Sequence, residues 1–130
     1  MKVLQPAGWP RPKGYANGIS VSGRLIVTGG TVGWNETETF AADTLPGQFA
    51  QCLRNIVAIL AEDDARPEHI VRMTCYVTDI DAYRASLGEI GAAWKSIIGR
   101  HYPAMALVAV TALVEPEALV EIEATAVVPE

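Results

Sequence analysis

Ten residues near the C-terminus, LVEIEATAVV at 119–128, alternate so regularly that a strand is the conformation they specify. Val120, Ile122, Ala124, Ala126 and Val128 share one face, while Leu119, Glu121, Glu123 and Thr125 share the other. The first face requires a core. The second mixes carboxylates with apolar groups, as expected of a surface between subunits or around a ligand and not of a solvated one. A strand of this kind needs neighbouring strands and a layer of helices, and the rest of the chain supplies candidates for both.

Residues 104–113 form another strand, with Val108 and Val110 on one side and Met105, Leu107, Ala109 and Thr111 on the opposite side. Residues 70–78 (IVRMTCYVT) are dense in strand formers and too short for a helix. Val71, Met73, Cys75 and Val77 fall on one face, and Arg72, Thr74, Tyr76 and Thr78 on the other. Phe49, Cys52, Leu53, Ile56 and Leu60 recur at helical spacing and predict a helix over 44–62, started by Asp43 or Thr44 with Pro46 in its first turn. Tyr83, Leu87, Ile90, Trp94 and Ile97 mark the buried stripe of a second helix over 81–98.

The first 18 residues, with prolines at 6, 10 and 12, read as an extended arm. Residues 19–22 and 24–28, split by Gly23, suggest a hairpin, and a loop follows from 31 to 40. The expected architecture is α+β, with a mixed sheet and two helices on one face. No repeat or linker divides the chain, so residues 1–130 are expected to form a single domain.

Half of the residues are hydrophobic, more than a small chain readily hides by itself, which points to self-association. The net charge is −5 and the cations are scattered singly, so nucleic acid is not an expected partner. No run approaches the roughly 20 apolar residues of a membrane helix, and no signal peptide is evident, so the expected location is cytoplasmic. Cys52 and Cys75 lie inside apolar segments and read as buried thiols. Asp63, Asp64, Asp79 and Asp81 sit at element ends, where acids cap helices or solvate turns. Neither His69 nor His101 has a partner at useful spacing, and both read as surface residues. Neither a metal site nor a cofactor is expected, since no metal-ligand pattern and no phosphate-binding glycine fingerprint is present.

An ordered set of motifs resembles the Rid family (reactive intermediate deaminase, YjgF type). Gly14-Tyr15 precedes the first strand, and RLIVTGG ends a strand in a Gly-Gly turn. Gln48, Leu53, Asn55 and Ile56 follow, and then VRMTCYVTDIDAY, YPAMALVAV and VEIEATAV, so the likeness runs from about 14 to 128. The resemblance implies a chorismate-mutase-like fold and a homotrimer, its three sheets forming a central barrel with small-molecule clefts between subunits. Glu121 matches the glutamate that orients water in active members. Gly29, Gly30, Thr31, Met105, Ala106 and Leu107 fall at cleft positions, as does Leu87 on the second helix. On this basis Met105, Leu107 and Glu121 are expected on one sheet surface turned toward sister chains.

Three positions keep alternative readings. Glu121 either works as a general acid or base or pairs with a basic residue of a neighbouring subunit or faces barrel water. Tyr15 either closes over a ligand or pins the N-terminal arm, and Trp34 either lids the cleft or packs an interface.

The sequence departs from the family where its chemistry is concentrated. In imine-deaminase members an arginine grips the substrate carboxylate through two charge-assisted hydrogen bonds. Met105 occupies that position here, Leu107 stands where a cysteine is common, and Gly29 where a serine is common. A cation on the arm, Arg11 or Lys13, offers a substitute. A carboxylate in an apolar cleft holds its proton to higher pH, which suits general acid or base work. Three readings stay open. The first is a hydrolase of the type that deaminates 2-iminobutanoate and 2-iminopropanoate, acting on C=N bonds of other substrates. The second is a non-catalytic trimer that binds a metabolite or regulates a partner. The third, the endoribonuclease label of some members, fits poorly with an acidic chain.

Overall fold

A computed structural model describes all 130 residues. The elements in chain order are β1 (Lys2–Val3), β2 (Ile19–Ser20), β3 (Arg24–Val27), β4 (Thr31–Val32), α1 (Leu45–Ala61), β5 (Ile70–Val77), α2 (Ile80–Ala85), α3 (Leu87–Ile97), β6 (Ala104–Ala109) and β7 (Val120–Val128). A short 3-10 turn, Pro67–His69, leads into β5. The main sheet runs β3-β7-β5-β6, with β4 also paired to β7. The alternating strand of the sequence, β7, is thus central, antiparallel to β3, β4 and β5. Strands β5 and β6 are parallel and are joined through α2 and α3, so β6 and β7 are not neighbours.

All helices pack on one face of this sheet, as the alternation requires. The core joins Phe49, Leu53, Ile56 and Leu60 of α1 and Ile90 and Trp94 of α3 to the inward positions of β5 and β7. Every stripe residue expected of α1 is buried. Thr44 caps its N-terminus, accepting from the Gly47 N–H, and Pro46 lies in its first turn. On β7 the residues from Val120 to Ala126 alternate between buried and half-buried, as expected.

Several expectations are corrected. The hairpin over 19–28 does not form, because β2 pairs with β1 at the head of the arm while β3 pairs with β7. The 31–40 loop begins with a strand, β4. Three side-chain bonds hold that segment to α1: the Cys52 thiol donates to the Thr31 carbonyl, and Asn55 Nδ2 donates to the carbonyls of Val32 and Trp34 (3.3, 3.1 and 2.7 Å). The strand from 104 stops at Ala109. On β5 a register shift between Ile70 and Arg72 puts Ile70 inside and leaves Val71 half-buried, although the alternation assigned Val71 to the core.

The second helix is broken at Ser86 (φ −111°, ψ 12°) into α2 and α3. Serine competes with the helical backbone for hydrogen bonds, and Gly88 just beyond it costs a helix about 1 kcal/mol. The break leaves Leu87, expected in the buried stripe, 56% exposed. His101 is no surface residue: its ring, half-buried, lies 2.5 Å from the Ile70 carbonyl. His69 uses Nδ1 to accept from the Arg66 N–H. No helix is long and apolar enough to cross a membrane.

The sheet face away from the helices is uncovered. Leu25, Val27 and Val108 are exposed on it, interspersed with Thr74, Tyr76, Glu121, Glu123 and Thr125. The Tyr76 hydroxyl donates to Glu123 at 2.7 Å. That hydrogen bond, reinforced by desolvation and by the nearby carboxylates, raises the phenol pKa.

Candidate functional site

Two groups of candidate residues are separated by the thickness of the sheet. The register decides this. Met105 pairs with Met73 and Leu107 with Cys75, and both partners face the helices. Glu121 pairs with Tyr76, whose neighbours Cys75 and Val77 point into the core, so Glu121 lies on the uncovered face. Ala106, paired with Thr74, is on the uncovered face as well. The expectation that Met105, Leu107 and Glu121 share one surface is therefore wrong for a single chain. Parity within a strand specifies its two faces and says nothing about which of them aligns with a face of another strand.

The first group surrounds a cavity of about 720 Å³ on the helix side of β6. Its size falls within the roughly 300–1,000 Å³ usual for small-molecule sites. Met105 and Leu107 form the floor, Leu87 and Gly91 of α3 one wall, and Tyr15 of the arm closes one side. The arm is held there by backbone pairing: Ala16 bridges to Ala104, and its N–H donates to the Pro103 carbonyl at 2.9 Å. Gly14, at φ 80°, turns the chain just before Tyr15 in a conformation that a side-chain-bearing residue rarely adopts.

Aromatic side chains contribute much of the remaining lining. Trp94 and Tyr102 stack with centroids 6.2 Å apart at 9°, and Trp94 Nε1 donates to the His101 carbonyl at 3.0 Å. Tyr83 also lines the cavity, and burial, with a smaller contribution from Cys75, raises its pKa. Its phenol remains a neutral donor at ordinary pH. Burial likewise pushes the Cys75 thiol up to about 12 and raises that of Cys52, so neither is a nucleophile at neutral pH.

The second group is on the uncovered face. The Glu121 carboxylate lies over Gly30 so closely that a Cβ there would collide with Oε2. Glycine at this position gives the carboxylate direct access to the main chain of the β3–β4 turn. Thr31 Oγ1 donates to the Gly29 carbonyl at 3.3 Å, shaping the same turn. Trp34 belongs to neither group; it is half-buried against Phe40, with ring centroids 5.8 Å apart, and does not line the cavity.

Sequence reasoning overlooked Lys95, which lines the cavity together with Lys13. The signal was present, since Leu87, Gly91 and Lys95 are spaced by four and share a helix face. Arg11, the other cation considered, does not reach the lining. No group of three or more His, Cys, Asp or Glu residues is placed to hold a metal ion.

A mixed α+β chain with its helices on one face of the sheet is the class of protein the comparisons also find. The family model described as Endoribonuclease L-PSP matches residues 10–128. The chain is 30% identical to a RutC family protein of Synechocystis, covering 99% of this chain and 98% of that one. It is 32% identical to a RutC family protein of Aquifex aeolicus over 69% of this chain and 71% of the other. Among solved structures, a conserved Rid family protein of Yersinia pestis superposes with a TM-score of 0.85 at 31% identity, with 98% of each chain covered. The chain belongs to the Rid (YjgF-type) family.

Proposed function

We propose that three copies of this chain close their uncovered sheet faces around a common axis, and that ligand clefts lie between neighbouring copies. The register carries this reading. Within one chain the cavity and Glu121 are on opposite sides of the sheet, so they can serve one ligand only if different copies contribute them. The exposed Leu25, Val27 and Val108 supply the apolar surface that such an assembly buries.

We further propose that each cleft hydrolyses a C=N bond in a reactive imine or enamine bulkier than the simple 2-imino acids. An enamine first shifts to its imine; Glu121 then takes a proton from water as the water oxygen adds to the imine carbon, and passes it to the nitrogen to give a carbinolamine, whose hydroxyl proton Glu121 next moves to the amino group as the C–N bond breaks. The carbonyl compound and ammonia result. Met105 provides no charge to hold a short 2-imino acid by its carboxylate, so those substrates are expected to react poorly. The same methionine favours a second reading, a trimer whose clefts bind a metabolite without transforming it. The endoribonuclease activity in the family's description is not carried over, because a net charge of −5 and scattered cations suit a phosphate backbone poorly. The free thiols of Cys52 and Cys75 suit a reducing compartment, and we place the protein in the cytoplasm.

Ammonia release from freshly generated 2-iminopropanoate tests the catalytic claim. The wild-type chain is expected to stay close to the buffer rate, and Met105→Arg to exceed wild type by about tenfold or more, in line with a gained charge-assisted contact. A fast wild-type reaction contradicts the reading of Met105. If neither chain releases ammonia from 2-iminopropanoate or from imines of larger 2-oxo acids, while a metabolite occupies the clefts, the binding reading stands instead.

A further inference from the structure

The cavity beneath β6 has a charge pattern that its apolar lining conceals. Among the side chains around it are two cations, Lys13 and Lys95, and no aspartate or glutamate. Neither lysine forms an ion pair: the salt bridges of the chain join Arg24 to Asp63, Arg66 to Glu68 and Arg84 to Asp81. Neither donates a side-chain hydrogen bond within the chain. Two exposed lysines without ion pairs therefore line an apolar cavity from two elements, the arm and α3. Opposite charge brought there from solvent meets no competing carboxylate of the same chain; the sister copy's Glu121 is the one carboxylate the proposed cleft adds.

The rest of the lining specifies the uncharged part of a ligand. The Trp94–Tyr102 stack presents flat aromatic surface, Met105 adds a polarisable thioether suited to aromatic contact, and Tyr83 adds a neutral hydroxyl. A three- or four-carbon acid leaves most of a cavity of about 720 Å³ unfilled. We infer that this cavity takes a carboxylate with an aromatic body, its charge met by Lys13 and Lys95 and its ring by the Trp94–Tyr102 wall. The inference rests on reading the cavity as the ligand cleft, and it names the class of molecule the cleft accepts. Lysine holds the carboxylate as a point charge, without the two-pronged geometry of an arginine, so the ring supplies the orientation.

Calorimetric titration of the intact protein with 3-phenylpropanoate, 3-phenylpropanamide and propanoate separates the contributions. The acid is expected to bind about tenfold or more tightly than either its neutral amide or the ringless acid. In the double variant Lys13→Gln/Lys95→Gln, acid and amide should bind alike, at about the wild-type level for the amide. The double variant Lys13→Arg/Lys95→Arg should keep the preference for the acid. Equal binding of acid and amide to wild type, survival of the preference in the glutamine variant, or no binding of the acid overturns the inference. The probe is not a substrate, so a failure of the hydrolytic reading shows separately, as absent ammonia release from a protein that still binds 3-phenylpropanoate.

Discussion

Gln48→Leu is expected to destabilise the fold by about 3 kcal/mol, a large share of the total for a chain of this size. Gln48 is the one buried polar residue of the core, at 1% exposure, and it sits in the apolar stripe of α1. Its Nε2 donates to the carbonyls of Ala42 and Glu117 at 3.1 and 3.0 Å, and its Oε1 accepts from the Leu119 N–H at 2.8 Å. One side chain thus ties the segment before α1 to the connection that enters β7. Leucine fills a similar volume and leaves three main-chain groups without partners, each costing about 1–3 kcal/mol where water cannot reach it. Chemical denaturation measures the loss. A change under about 1 kcal/mol would mean that water replaces these bonds and that the connection is held by other contacts.

Val27→Asp is expected to abolish assembly and leave the chain folded. Val27 is 65% exposed in the single chain, on the uncovered face opposite Thr125 and beside Glu123 in the same shallow depression. An aspartate there is solvated in a monomer, so folding is little affected. In a trimer closed on that face, the same carboxylate is desolvated next to Glu123, with Arg72 the one cation of the depression to serve both acids. The association constant should fall more than about a hundredfold, corresponding to a few kcal/mol for burying a second carboxylate beside a single arginine. Sedimentation velocity reads the outcome, with circular dichroism as the check on folding. A variant that sediments as wild type places the interface elsewhere.

The parts of the fold that were legible in the sequence are those whose pattern is local. The α1 stripe and its Thr44 cap, and the alternation of β7, depend on spacings of a few residues and hold in the structure. The illegible parts depend on competition between distant segments. Strand β2 has two possible partners, and the arm strand β1 takes it, which no property of residues 19–28 reveals. The bulge at Val71 shifts one residue out of a regular pattern and follows from pairing with β7. The break at Ser86 is weakly encoded, since serine and glycine lower helical preference without forbidding a helix.

The site divides in the same way. Tyr15, Leu87, Met105 and Leu107 line one cavity, and Gly30 meets Glu121. That these two groups lie on opposite faces is a consequence of the β5–β6 register. Gln48 appears in the sequence as a polar interruption of an apolar stripe, and its role becomes visible only with partners up to 71 residues away.

Native mass spectrometry of the wild-type protein at low micromolar concentration tests most directly whether sister chains complete the site. One dominant species with the mass of three 13.9 kDa chains is expected. A dominant species of one chain would leave Glu121 and the Met105 cavity facing different solvent, with no surface on which they could act together.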